Sequence, residues 1–187
     1  MGPDDLAGLA ALFEAYRNTR RCWCMSFCLS RTEFALGWLT GGNRRRFEAA
    51  TAEGVTMGLL ASVSGETVGW CACGPRSRYA GAGAARPQLL REHDPDDDDV
   101  VWLVPCLFVR ADHRSRGITH TLVRAAVDEA RREGAVAVEG WPVTGPERGL
   151  ADAHLGREST FASLGFRCVS RPTPSRAIMR LPLVEEP

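Results

Sequence analysis

The feature that most constrains the fold is a buried strand that runs through a short polar turn into a long helix. Val100–Val109 is almost entirely apolar, which predicts a central strand covered on both faces. The helix predicted from about Arg116 to Glu133 carries its apolar residues in one stripe, and Gly134 follows it as a typical C-terminal cap. A strand leading directly into a helix of this length favours an α/β fold.

The turn between this strand and this helix has the chemistry of an anion site. The first N–H groups of a helix lack intrahelical partners and lie at the positive end of its dipole. Gly117 allows close approach of the backbone, while Arg114 and Arg116 can reach phosphate oxygens. A nucleotide P-loop is excluded because the chain contains no lysine. A dinucleotide fingerprint is excluded because only one of its glycines is present.

The strand, turn and helix together resemble the GNAT superfamily of acyl-CoA-dependent N-acetyltransferases. The signature of that family is Arg or Gln, two residues, Gly, one residue, and then Gly or Ala. Here the stretch reads Arg114-Ser-Arg-Gly117-Ile-Thr119, so threonine fills the last small position. A later segment, Phe161-Ala-Ser-Leu-Gly165-Phe166, is similar to the late helix of the family. The resemblance extends from about Thr56 to the C-terminus.

The resemblance implies a mixed, mostly antiparallel central sheet that is flanked by helices and splayed at its two central strands. We expect one domain over 1–187, with 1–55 on the acceptor side and 74–99 as a long loop insertion. Helices are predicted from Asp4 to about Tyr16, from Asn43 to Glu53, near Gln88–Arg91 and ending near Leu164. Further strands are predicted at Arg21–Leu29, Met57–Val63, Thr67–Cys73, Ala135–Val143, Phe166–Ser170 and Ala177–Leu183.

The same resemblance implies acetyl-CoA as the co-substrate and assigns residues to it. Main-chain groups of Leu107, Phe108 and Val109 would pair with the pantetheine arm and polarise the thioester carbonyl. The pyrophosphate would be held by Arg114 and by the N–H groups of Ser115, Arg116, Gly117, Ile118, Thr119 and His120. His154 stands where the family often has an asparagine that contacts the cofactor.

Acetyl transfer by direct attack of an amine needs a base, a donor for the developing oxyanion and stabilisation of the thiolate. Glu139 is the first candidate for the base, and the alternative is a carboxylate that pairs with an arginine. The family often has a tyrosine that protonates the thiolate, and here that position is Phe161. Ser159 is the candidate proton donor in its place, although the spacing does not select it over Thr160.

The cysteines and aspartates raise the question of a metal. Cys22-Trp-Cys24 and Cys71-Ala-Cys73, with Cys28 nearby, could in principle hold zinc. The usual Cys-x2-Cys spacing is absent and buried cysteine mostly behaves as an apolar residue, so no metal is expected. Asp94 and Asp96–Asp99 lack the alternation of an EF-hand, which predicts a solvated acidic loop. If that loop borders the acceptor site, it would attract a cationic substrate.

The remaining expectations concern partners and location. Equal numbers of basic and acidic side chains, 23 of each, argue against a general nucleic-acid binder. No apolar run approaches the roughly 20 residues of a membrane span. The odd number of cysteines and the absence of a signal pattern predict a cytoplasmic protein with reduced thiols.

We predict an N-acetyltransferase that acts on the primary amine of a small molecule. One alternative is acetylation of a protein N-terminus or a lysine side chain. Another is an acyl-CoA-binding module with little turnover, which the absent tyrosine would favour. A homodimer is expected only by analogy with similar proteins.

Overall fold

The computed structural model describes residues 1–79, 81, 95–145 and 154–184. Its α-helices in these ranges are α1 (Leu6–Glu14), α2 (Thr19–Cys22), α3 (Arg31–Thr40), α4 (Gly42–Ala52), α5 (Ile118–Arg132) and α6 (Glu158–Ala162). The strands are β1 (Gly58–Val63), β2 (Glu66–Pro75), β3 (Val101–Val109), β4 (Ala137–Gly140), β5 (Arg167–Thr173) and β6 (Arg176–Pro182). No helix in these ranges is both long and apolar enough to cross a membrane.

The six strands form one open sheet in the order β1-β2-β3-β4-β6-β5. Every neighbouring pair is antiparallel except β3 and β4, which are parallel. Helices cover both faces: α5 packs against β2 and β3 on one face, and the core on the other face contains buried residues of α1 and α4 together with Trp70, Cys106 and Phe108 of the sheet. The predicted fold, a mixed and mostly antiparallel sheet flanked by helices, is therefore confirmed.

The two central strands separate partway along their length. β3 pairs with β4 only from Val101 to Val104, opposite Ala137–Gly140, whereas it continues beside β2 as far as Val109. Pro105 comes directly after the last pair and has no N–H group to donate to a neighbouring strand. The end of the ladder at this proline leaves the main chain of the following residues available on the β4 side.

Alternate residues of β3 point to different cores. Leu107 and Val109 pack with the apolar stripe of α5, while Cys106 and Phe108 pack with the N-terminal helices. The strand is buried at every position, as its unbroken apolar sequence predicts. A ligand that lies along the separated part of β3 therefore has α5 on one side and the N-terminal helices on the other.

The prediction of a strand over Arg21–Leu29 is wrong. The structure has α2 and a 3-10 turn at Met25–Phe27 there, joined by two residues with positive φ, Trp23 (49°) and Cys24 (54°). Helix α3 then follows and was not predicted; Ser30 and Glu33 begin it with a capping box. Apolar residues in this segment pack on the sheet from turns and short helices, so their density in the sequence resembled that of a strand.

The 74–99 insertion is described only at its two ends. Arg76–Tyr79 and Pro95–Asp97 are short 3-10 helices next to β2 and β3. The helix predicted near Gln88–Arg91 lies outside the described residues.

Candidate active site

A cavity of about 510 Å³ lies along the separated part of β3, within the size range typical of small-molecule sites. Three pieces of the chain form its wall: the end of β3, the turn before α5, and the segment leading into α6. The lining residues are Leu107, Phe108, Val109, Arg114, Ser115, Thr119, His154, Gly156, Arg157 and Thr160. The central strand and the arginine-rich turn, which the sequence predicted to act together, thus share one cavity.

The turn before α5 exposes main-chain N–H groups. Ser115 (φ 59°) and Gly117 (φ 78°) both adopt left-handed conformations, and α5 begins immediately after them. Alternation of this kind turns successive amides toward one side and forms an anion-binding concavity. No atom lies within 4 Å of the position that a Cβ on Gly117 would take. The backbone is therefore open at the point where the sequence predicts a phosphate group.

The predicted cofactor residues divide into two groups in this structure. Seven of them line the cavity: Leu107, Phe108, Val109, Arg114, Ser115, Thr119 and His154. Arg116, Gly117, Ile118 and His120 belong to the same turn or helix but are not among the lining residues. The side chain of Ile118 packs into the α5 core, and His120 Nε2 lies 3.1 Å from Ser163 Oγ.

The segment that carries His154 bridges the gap between the two central strands. The Leu107 N–H donates to the His154 carbonyl at 2.6 Å, and the Val143 N–H donates to the Gly156 carbonyl at 3.2 Å. The imidazole ring of His154 lies 5.5 Å from the ring of Phe108. The structure thus brings His154 next to the main-chain group that the resemblance assigns to the thioester. Gly156, Arg157 and Thr160 line the cavity as well, and no sequence motif pointed to the first two.

Glu139 lies in a buried ion network rather than in the cavity. Its side chain is 2% exposed, and Oε1 accepts hydrogen bonds from Arg76 Nη1 at 3.0 Å and from Arg180 Nη1 at 3.4 Å. The other oxygen, Oε2, accepts from Trp141 Nε1 at 3.1 Å. Both oxygens are engaged, which matches the alternative of an arginine-paired carboxylate, and the role of Glu139 as the base stays a prediction.

The expected proton donors are also placed differently. Ser159 is exposed and does not line the cavity, whereas Thr160, the next residue of α6, does. Successive helical residues point about 100° apart, so only one of the two can face the site. Phe161 is fully buried, with its ring centroid 5.2 Å from that of Phe166. It therefore packs in the core where the family often has a tyrosine.

The described part of the acidic loop is partly neutralised. Asp98 Oδ1 lies 2.6 Å from Arg76 Nε, and Asp97 Oδ2 lies 3.3 Å from Arg180 Nη2. These two carboxylates therefore belong to the network around Glu139 and are not free to attract a cationic substrate. Asp94 lies outside the described residues.

The cysteines do not form a metal centre in the part of the chain that the structure describes. No group of three or more histidine, cysteine, aspartate or glutamate side chains is arranged there to hold an ion. None of the seven cysteines forms a disulfide. Cys24 donates from its thiol to Cys106 Sγ at 3.2 Å and accepts from Trp70 Nε1 at 3.1 Å, so it bridges the N-terminal region to β2 and β3.

Burial should make all but one of these thiols slow to react. Burial raises the pKa of Cys22 to about 11 and that of Cys28 to about 12, and the neighbouring Cys24 adds to both shifts. Cys168 is the exposed cysteine. We expect one thiol per native chain to react rapidly with dithionitrobenzoate at pH 8, and all seven to react in denaturant, because the thiolate is the reactive form.

A Cys168→Ser variant is the control for this titration. It should lose the fast phase and keep the slow one. A fast phase of several thiols in the native protein, or one that survives in Cys168→Ser, would contradict the packing described for the cysteines.

Comparison with known proteins agrees with the fold. The acetyltransferase (GNAT) family model matches residues 21–148. The structure is similar to ribosomal-protein-alanine N-acetyltransferase from Brucella melitensis, with 21% identity, 98% of this chain and 97% of that chain covered, and a TM-score of 0.51. It is also similar to an apo variant of agmatine N-acetyltransferase, with 14% identity, 98% and 97% coverage, and a TM-score of 0.56.

A third similar structure is the acetyltransferase YncA from Salmonella typhimurium with its cofactor acetyl-CoA, with 17% identity, 77% of this chain and 75% of that chain covered, and a TM-score of 0.51. No curated protein matches the sequence. The family model spans more than half of the chain and includes two of the three pieces that form the cavity, the end of β3 and the turn before α5. This protein belongs to the GNAT acetyltransferase family and is an acetyl-CoA-dependent acyltransferase.

Proposed function

We propose that the enzyme transfers the acetyl group of acetyl-CoA to the primary amine of a small molecule, by direct attack in a ternary complex. The observation that carries this proposal is the cavity that joins the main chain of Leu107–Val109 to the open amides of the turn before α5. One end of such a cavity suits a polyphosphate and the other suits a thioester. Its volume of about 510 Å³ is that of a site for small ligands.

The turn would bind the phosphates through the N–H groups of Ser115–His120 and through Arg114. Arg114 Nε now donates to the Val109 carbonyl at 3.2 Å, so the guanidinium already lies at the end of β3. Leu107–Val109 would bind the pantetheine arm through their main chain. The Leu107 N–H would exchange its bond to His154 for one to the thioester carbonyl, which it would polarise as charge develops on the oxygen.

We propose that 1–187 act as one cytoplasmic domain, which the absence of disulfides supports.

The experiment combines acetyl-CoA binding with an assay for released thiol. Acetyl-CoA at 100 times its dissociation constant should stabilise the native state by about 2.7 kcal/mol and raise the melting temperature. Free coenzyme A should then accumulate when a panel of small primary amines is added. Release with peptides alone would instead assign a protein acceptor, and stabilisation without release by any acceptor would assign a binding module. No stabilisation by any acyl-CoA would reject the proposal.

A variant of Arg114 tests the cofactor end of the cavity. Arg114→Met should weaken acetyl-CoA binding about tenfold or more, because a hydrogen bond to a charged group contributes about 1.5–3 kcal/mol. Arg124→Met is the matched control, since Arg124 is an exposed arginine of α5 outside the cavity. Equal affinities of the two variants, measured by titration calorimetry, would remove Arg114 from the site.

A further inference from the structure

Among the described residues that line the cavity, one side chain can take up a proton near neutral pH. Of its lining residues, Leu107, Phe108, Val109 and Gly156 carry no titratable group, and Ser115, Thr119 and Thr160 carry only hydroxyls. Arg114 and Arg157 stay protonated at all relevant pH values. The imidazole of His154 is what remains, and histidine is the side chain whose ordinary titration range is near neutrality.

The main chain holds His154 beside the predicted reaction centre. Its carbonyl oxygen accepts from the Leu107 N–H at 2.6 Å, and Gly156, two residues later, is bonded to Val143 beyond the end of β4. The thioester carbonyl would take the place of the His154 carbonyl at the Leu107 N–H, while the bond between Val143 and Gly156 would keep the segment beside the cavity. The imidazole of His154, which lines the cavity, would then lie on the same wall as the bound thioester.

The imidazole also lies on the side of the sheet where an amine would enter. Its ring is 5.5 Å from the ring of Phe108, whose side chain packs with the N-terminal helices. The ring of Tyr16, in the segment after α1, also contacts the ring of Phe108, with the two centroids 4.9 Å apart. The turn that would hold the phosphates packs instead on the α5 side, with Ile118 in that core. An acceptor that approaches from the N-terminal helices would thus meet His154 before it meets the thioester.

We propose that His154 is the general base of this enzyme and takes the proton from the attacking amine. As the amine nitrogen bonds to the carbonyl carbon, its proton passes to the imidazole, and the carbon–sulfur bond breaks with its electron pair on sulfur. The imidazolium then returns the proton to the thiolate or to solvent, so that amine and thioester give amide and thiol. This inference rests on the proposed function, and it fills the role for which Glu139 is too fully engaged by Arg76, Arg180 and Trp141.

The proposal predicts that the activity rises with pH. A base works in its neutral form, so kcat/KM should rise with pH through the titration of the imidazole and then level off. The charged groups that face the same cavity are Arg114 from the turn and Arg157 from the segment before α6. β3 presents Leu107, Phe108 and Val109 there, and α6 presents Thr160. Tyr16, whose ring contacts that of Phe108, is not among the described lining residues. No carboxylate is among the described lining residues, and the variants below test whether a limb of the pH profile in the imidazole range comes from His154.

The test compares His154→Gln with the wild-type enzyme, after turnover of the wild type has been established with one amine. We expect kcat to fall about 100-fold, the usual lower range for loss of a general base, and the acidic limb of the pH profile to disappear. The affinity for acetyl-CoA, measured by calorimetry, should stay within about threefold, because none of the contacts proposed above for the cofactor uses the imidazole. Imidazole in the buffer should restore part of the activity of His154→Ala.

His113→Gln and His113→Ala are the matched controls, since His113 lies in the neighbouring turn and is not among the lining residues. They should keep kcat within about twofold and show no rescue. Three results would each overturn the proposal. His154→Gln could retain its turnover, it could keep the acidic limb of its pH profile, or its loss of activity could be explained by weaker binding of acetyl-CoA. If the acidic limb of the pH profile is lost in Glu139→Gln but kept in His154→Gln, the base is Glu139. A wild type that binds acetyl-CoA but releases no thiol would reject the proposed function itself.

Discussion

Replacement of Arg76 by methionine is expected to lower the free energy of unfolding by about 3–5 kcal/mol. Arg76 is 3% exposed and lies between two carboxylates, Asp98 at 2.6 Å and Glu139 at 3.0 Å. Its removal leaves Glu139 buried with Arg180 as its remaining ion-pair partner, at 3.4 Å. The cost arises chiefly from a buried carboxylate that has lost its closest compensating charge. Urea unfolding followed by tryptophan fluorescence measures the change.

Arg131→Met is the matched control, because the Arg131–Asp128 pair on α5 is exposed on both sides. Its removal should change stability by less than about 1 kcal/mol. The double variant Arg76→Met/Glu139→Gln should recover part of the loss, since it removes the uncompensated charge as well. A loss for Arg76→Met no larger than that for Arg131→Met would contradict the buried network.

The network also explains how the ends of the long insertion are attached to the sheet. Arg76 follows β2, Asp97 and Asp98 precede β3, Glu139 belongs to β4, and Arg180 belongs to β6. Its ion pairs therefore connect four strands across the region where β3 and β4 are still paired. These contacts give Glu139 a structural role in joining the insertion to the sheet.

Replacement of Trp70 by alanine is expected to cost a similar 3–5 kcal/mol. Trp70 is fully buried on β2, and its ring makes edge contacts with Phe13 at 5.9 Å and Phe47 at 5.7 Å. Its indole N–H donates to Cys24 Sγ at 3.1 Å. The substitution would leave a large cavity between the sheet and the N-terminal helices, and would remove the donor to Cys24. Urea unfolding measures the loss, and Trp70→Phe should recover most of the packing but not the hydrogen bond.

Trp38→Ala is the control for this prediction. Trp38 lies on α3, is half-buried and contacts Phe34 at 5.8 Å, outside the cluster around Trp70. Its removal should cost clearly less, about 1–2 kcal/mol, since most surface-side substitutions have small effects. If the two variants lost equal free energy of unfolding, the packing of Trp70 between the sheet and the N-terminal helices would not have the importance given to it here.

The best-predicted parts of the fold are those with a strong local pattern. The strand predicted at Val100–Val109 is observed at Val101–Val109, and the helix predicted from about Arg116 is observed at Ile118–Arg132. An unbroken apolar run and a 3.6-residue stripe are properties of neighbouring residues, so they can be found without knowledge of the rest of the chain. The same holds for the anion-binding turn, because its arginines, glycine and helix start all lie within a few residues.

The errors fall where contacts between distant segments decide the structure. In the segment after α2, Cys24 is held in a left-handed conformation against Cys106, which lies 82 residues away in the sequence. The arginine that pairs with Glu139 was not identified either: the fold places Arg76 beside it, at a separation of 63 residues. Neither partner could be identified from local spacing, because both contacts depend on how the elements pack.

The sequence by itself determined the fold class, the family and the conformation of the turn before α5, because each depends on a short pattern that specifies its own conformation. Only the tertiary structure decided the surroundings of the titratable groups. Folding buries Glu139 between two arginines, turns Phe161 into the core, and attaches His154 to the free edge of β3. The chemistry of a carboxylate or an imidazole depends on its neighbours, and here those neighbours come from distant parts of the chain.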